Sequence, residues 1–169
     1  MKKIFFLLFL IAGSFVANSY AKDVAVVRDD FYKAECASCH FAYQAGLLPS
    51  RSWEKLMGDL SHHFGTDASL EREEIQKILK YLTDNSAEKF TQYKRSKKIN
   101  DSIAANETPL GVTKTGYFIK KHEKIARRHI TQKEVKSLAN CMACHTAADK
   151  GSYSEREIVI PNFGKYKNE

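Results

Sequence analysis

The sequence runs to 169 residues with a formal charge of +7 and four cysteines, and no low-complexity tract or strong repeat interrupts it. Each half has roughly seventy residues and few apolar ones, which leaves its core marginal without help. Positive charge alone admits acidic proteins or anionic lipid heads as partners, though any single lysine is first of all a solvated one.

The first 21 residues, MKKIFFLLFLIAGSFVANSYA, read as a secretory signal peptide. Two lysines precede an apolar run over residues 4–12, and Ser19 and Ala21 stand at −3 and −1 of a cleavage after Ala21. An uncleaved anchor is the rival reading, but the run is short for a span of about 20 apolar residues. No later segment reads as a membrane span. The expected mature chain, residues 22–169, loses Lys2 and Lys3 and carries +5. Its expected place is the periplasm, an oxidising compartment where nucleic acid is a poor partner.

The expected fold class is all-α, in two small helical domains, residues 22–98 with a connector and residues 99–169. In the first, FYKAECASCH reads as a short helix. Pro49 and Ser50 or Ser52 open a second, SWEKLMGDLSHHF, whose apolar positions Trp53, Leu56, Met57, Leu60 and Phe64 have the spacing of a buried face. Asp67 or Ser69 is the expected cap of a third helix, with Glu71, Glu73 and Glu74 in its first turn. Its stripe is Ile75, Ile78, Leu79 and Leu82, and Asn85 is its expected end. A basic connector comes next, with a helix expected over residues 87–95. The second half takes shape from Pro109. TGYFIKKHEKIARRH reads as one helix, and Thr131 with Glu134 forms a capping-box pattern that predicts another through Val135, Leu138, Ala139 and Met142. EIVIP near the end suits an extended segment.

All four cysteines lie in CASCH (Cys36, Cys39, His40) and CMACH (Cys141, Cys144, His145), and C-x-x-C-H is the attachment signature of c-type haem. On a helix, residues i, i+3 and i+4 share a face. Both thiols of each motif can then reach one porphyrin edge while the histidine stands beneath the iron. Two covalently attached haems would also supply the missing apolar core. Disulfides, a zinc site and a thioredoxin-like dithiol are the rivals. The pairs stand far apart for zinc, no βαβ context surrounds either, and none of the three explains a histidine after both pairs.

Each iron needs a second axial ligand to act as a carrier, most often histidine or methionine. Met142 lies inside its own motif, and Met57 reads as packing on the apolar stripe. His62, His63, His122 and His129 remain. His63 continues the Trp53–Leu60 stripe and is the expected distal ligand of the first haem, with His62 turned to solvent. Phe118, His122, Ile125 and His129 fall on one helical face. His122 is the preferred second ligand and His129 the alternative. Proximity pairs His63 with His40 and His122 with His145, although the halves could exchange ligands.

The stretch CASCHFAYQAGLLPSRSWEKLMGDLSHHFG, with TGYFIKKHEKI and ANCMACHTAADKGSYSEREIVIP, resembles the dihaem cytochrome c (DHC) family over nearly all of the mature chain. The resemblance implies an exported, two-domain, mostly helical electron-transfer protein with two bis-histidine haems. The family's HFG histidine matches His63, and the histidine after its aromatic pair matches His122. Gly116 departs from the proline of that pattern. Family members pass electrons between a membrane cytochrome b and a small oxygen-binding monohaem cytochrome c, so redox proteins of those kinds are the implied partners. Two other readings stand beside an electron carrier that is not an enzyme. One is a dihaem enzyme, a peroxidase or small-molecule reductase, with a displaceable axial histidine. The other is a haem-free protein stapled by disulfides. The basic clusters Lys94, Arg95, Lys97, Lys98 and Lys120, Lys121, Lys124 suit haem propionates or an acidic partner, but a solvated face is the plainer expectation.

Overall fold

Asp29 opens the first helix by accepting the backbone N–H of Tyr32 on its carboxylate at 2.7 Å, a side-chain cap. The computed structural model describes residues 23–166, so the expected signal peptide lies outside the described residues. Helix α1 (Asp30–Cys36) ends at the first cysteine, and Ala37, Ser38 and Cys39 leave it as a turn. The CASCH motif is therefore only begun by a helix, and the expectation of one running through the whole of it fails.

Helix α2 (Ser50–Met57) starts after Pro49 and stops at Gly58, whose N–H reaches the carbonyl of Glu54 at 3.0 Å. The expected continuation to Phe64 does not form. Residues 60–62 make a 3₁₀ turn, and the chain then reverses through left-handed Phe64 (φ 51°) and Gly65 (φ 86°), with His63 and Thr66 bridged. Trp53, Met57 and Leu60 are buried as their spacing predicts, whereas Phe64 is 68% exposed because the reversal carries it off the stripe. Helix α3 (Arg72–Asp84) packs Ile78 and Leu82 against them and ends at Asn85 as expected. Its cap is Glu71 rather than Asp67 or Ser69. The Glu74 carboxylate accepts the Glu71 N–H at 2.9 Å, while Asp67 is spent on the N–H of Ser69.

Helix α4 (Lys94–Asp101) lies later than the helix expected over residues 87–95, and the expected domain boundary at 98/99 falls inside it. Its Ile99 packs with Val24, Leu47 and Ile103 in a second apolar cluster. Helix α5 (Gly116–His122) is capped by Thr115, whose hydroxyl accepts the Phe118 N–H at 3.3 Å. The single helix expected from Thr115 to His129 breaks after His122, and α6 (Arg127–Ile130) is a separate turn. The helix expected from Thr131 is absent. Thr131 closes α6 instead, and left-handed Lys136 (φ 64°) interrupts the segment beyond it. The second motif begins as a 3₁₀ turn, Cys141–Ala143. Strand β1 (Val159–Ile160) pairs antiparallel with β2 (Gly164–Lys165), so the centre of EIVIP is extended as expected, while Glu157 ends a 3₁₀ turn and Pro161 opens the turn between the strands. The fold is mostly helical, and among the described residues no helix is long and apolar enough to cross a membrane.

Long-range polar contacts lace early residues to late ones. Asp23 and Val24 both donate their N–H to the carbonyl of Gly151, at 2.9 and 3.1 Å. Gln44, fully buried, donates to the carbonyl of Ala148 and accepts the Tyr153 hydroxyl at 2.7 Å. The Tyr43 hydroxyl donates to the carbonyl of Ala139 at 2.6 Å, two residues before Cys141. Gly151 stands left-handed (φ 77°), and a Cβ there would run into the carbonyl oxygen of Val24.

Candidate functional site

The end of α1 delivers Cys36, half-buried, and the following turn delivers Cys39 and His40, both exposed. The Nδ1 of His40 lies 2.8 Å from the carbonyl of Phe41. A carbonyl only accepts, so in the neutral ring it is Nδ1 that bears the hydrogen and Nε2 the lone pair. Opposite stands His63, on the turn after the 3₁₀ segment, with ring centres 6.1 Å apart and planes inclined by 29°. Its Nδ1 is buried without a hydrogen-bond partner. Burial, and then the nearby His40, lower its pKa and favour the neutral imidazole that ligates metals. His62 does face away as its phase predicts, but through the turn rather than a helix. Its ring is 80% exposed and meets the Asp59 carboxylate at 2.7 Å, and that hydrogen bond raises its pKa.

The second cluster repeats the chemistry on a different frame. His122 is the last residue of α5, and its Nδ1 donates to the carbonyl of Phe118 at 2.8 Å, one helical turn back. The Phe118 ring stacks on it at 3.9 Å and 14°. His145 faces His122 with ring centres 6.2 Å apart and planes at 69°. The His145 N–H returns to the carbonyl of Cys141 at 2.8 Å, so CMACH closes one turn even though no helix leads into it. The Nδ1 of His145 is buried and unpartnered, and burial, followed by the His122 and Arg95 charges, pushes its pKa down to about 4. His129 does not join this pair. Its ring packs 4.4 Å from Phe163, because the break after His122 turns α6 away from α5. Met57 is 6% exposed and belongs to the apolar cluster around Trp53.

Burial raises the Cys36 and Cys141 thiols to about 11, and raises Cys144 as well. Dithiol redox chemistry needs an accessible thiolate of lowered pKa, which is the reverse of this setting. Two imidazoles that ligate one first-row ion from opposite sides, at about 2.0–2.1 Å each, have ring centres about 6 Å apart. Both pairs meet that spacing. No group of three or more His, Cys, Asp or Glu able to hold a metal occurs among the described residues, so an ion between either pair needs its remaining ligands from elsewhere. A porphyrin would supply them, and the C-x-x-C pair that precedes His40 and His145 would anchor it. The residues fit a covalently held haem at both places.

Four further residues escape a reading of the sequence alone. Arg95, expected on a solvated basic face, is largely buried and paired with Asp23 at 3.4 Å. Tyr43 and Tyr153 place their rings 5.0 Å from His40 and 5.4 Å from His145. The helical phase that aligns Arg95 with Ile99 is the one local signal, and nothing near Asp23, Tyr43 or Tyr153 announces their distant partners.

The family model for dihaem cytochrome c (DHC) matches residues 32–153. A solved diheme cytochrome type c from Shewanella baltica is 33% identical, covering 84% of this chain and 100% of that one, with a TM-score of 0.69. A diheme cytochrome c from Rhodobacter sphaeroides is 37% identical, covering 76% and 98%, with a TM-score of 0.67. A second structure, of DHC purified from Rhodobacter sphaeroides, is 37% identical over 76% and 100%, with a TM-score of 0.62. No curated protein matches significantly.

Proposed function

The chain belongs to the dihaem cytochrome c family, electron-transfer cytochromes with two covalently bound c-type haems, and from that premise we propose that it is an exported relay with two bis-histidine centres. Cys36 and Cys39 would anchor the first haem, and His40 and His63 would hold its iron. Cys141 and Cys144 would anchor the second, and His145 and His122 would hold its iron. Bound there, each iron supplies one-electron oxidation and reduction. The chain's own residues bind, orient and close both faces of the metal. The observation that carries this reading is the pair of ring separations, 6.1 and 6.2 Å, each made by a histidine that directly follows a C-x-x-C pair. Two imidazoles favour a lower potential than histidine with methionine, and the hydrogen bonds at the Nδ1 atoms of His40 and His122 orient those rings and strengthen them as donors. The partners are redox proteins: a membrane cytochrome b as donor and a small monohaem cytochrome c as acceptor. The expected leader at residues 1–21 supports a periplasmic site of action.

The rival is a dihaem peroxidase or small-molecule reductase. It draws on one observation, that His63 rides a turn with its Nδ1 unbonded. Carbon monoxide separates the two. The fully reduced carrier should give no CO spectrum at either haem, whereas rapid CO binding at one haem of the wild-type protein would establish a displaceable ligand. His63→Met and His122→Met should each bring a methionine-type absorption band to one haem and leave the other unchanged. An unaltered spectrum in either variant would refute that residue as a ligand.

A further inference from the structure

Arg95 is the one cation of this fold's observed ion pairs that is largely buried. Its side chain is 13% exposed, and its Nε lies 3.4 Å from a carboxylate oxygen of Asp23, itself 15% exposed. The side chains of the other ion pairs seen among the described residues are all at least 43% exposed. Taking such a pair out of water is costly and gains little stability over an apolar replacement, so its retention calls for another reason. Its contacts supply one. Nη2 donates to the carbonyl of Tyr153 at 3.1 Å, and Nη1 donates to the Tyr117 hydroxyl. The other Asp23 oxygen accepts the Tyr153 N–H at 2.9 Å. The Tyr153 ring stands 5.4 Å from His145, and Tyr117 belongs to α5, the helix that ends in His122. One largely buried ion pair thus grips the two pieces of chain that present the second histidine pair. Near His40 and His63 the comparable pair, Asp59 with His62, is exposed to water that screens it.

We propose that Arg95 and Asp23 are positioning residues that set the reduction potential of the second haem apart from that of the first. This rests on the reading of His122 and His145 as that haem's ligands. A fixed positive charge favours the less positive, reduced iron, and a fixed carboxylate favours the oxidised iron. Burial keeps both effects from being screened. Because Arg95 and Asp23 act with opposite signs, an electrostatic role separates cleanly from a merely structural one.

The test is a spectroelectrochemical titration of the holoprotein carrying Arg95→Met, Arg95→Lys, Asp23→Asn or the Arg95→Met/Asp23→Asn pair. Arg95→Met should lower the potential of the second haem, and Asp23→Asn should raise it. Each should change that haem's reduced-to-oxidised ratio at the wild-type midpoint by about tenfold. Arg95→Lys should keep the potential close to the wild-type value, the double variant should fall between the singles, and the first haem should not move. Shifts of the same sign in Arg95→Met and Asp23→Asn, equal shifts in both haems, or no shift at all would overturn the proposal. If Arg95→Met does not fold, Asp23→Asn must still raise the potential while the charge-conserving Arg95→Lys leaves it near the wild-type value; a fall in Asp23→Asn or a large shift in Arg95→Lys would overturn the proposal. His122→Met in the same titration identifies which haem is the second. If it alters neither haem, the ligand reading fails, and that outcome differs from every one that overturns the role of Arg95.

Discussion

Two copies of one five-residue motif end in two different kinds of site. In the first, the motif histidine is the oriented one: His40 is exposed but bonded at Nδ1, and its opposite number His63 sits on a turn with Nδ1 unbonded. In the second the roles are exchanged. His122, from outside the motif, is held by a helix, a carbonyl and a stacked phenyl ring, while the Nδ1 of the motif's His145 is buried and unbonded. The ring planes differ as well, 29° against 69°. The motif dictates covalent chemistry, and everything that tunes it comes from elsewhere in the chain. The first site is set by local turns, the second by a helix and a largely buried charge pair.

The heaviest way to break this comparison is to remove one haem at a time. Cys36→Ser with Cys39→Ser, and separately Cys141→Ser with Cys144→Ser, should each lower the intact mass by one haem. The second double variant should lose more thermal stability, because Cys141 and His145 are less exposed than Cys39 and His40. Equal losses would deny the asymmetry. Thr115→Ala is gentler. It deletes the cap of α5 and should cost about 1 kcal/mol, read by thermal unfolding. It should make the second haem more open to CO while leaving the first unchanged. The smallest effect belongs to His62→Gln, which should leave both haem spectra unaltered. Asp59 raises the His62 pKa, so their contact is fully present below the unfolded value near about 6.5 and is lost as pH rises through the raised one. A proton NMR titration of wild type should track that loss, and stability of the variant should be flatter across the same window.

The motifs, the α2 and α3 stripes and the candidate histidines are legible in the sequence because each depends on residues a few positions apart. Where structure and sequence part, backbone geometry overrides periodicity. Gly58 ends α2 before the histidine doublet, and Phe64 and Gly65 turn left-handed, so His63 reaches its place by a reversal that no helical phase describes. Past His122 the apolar spacing to His129 persists while the helix does not, which makes two faces look like one. Thr131 and Glu134 show a cap pattern, but left-handed Lys136 stands where the helix would have to run. Arg95 is illegible for another reason: its partners are Asp23, Tyr117 and Tyr153, and only the folded chain brings them together.

The paired N–H groups of Asp23 and Val24 on the Gly151 carbonyl also bear on the order of assembly. A ribosome makes residue 24 long before residue 151. The N–H groups of Asp23 and Val24 therefore have no final acceptor until synthesis has passed the second motif, and closing so long a loop is an entropic cost met only near the end. Topologically, the fold finishes with its beginning. Gly151, with no room for a side chain against Val24, is the latch of that sequence of events.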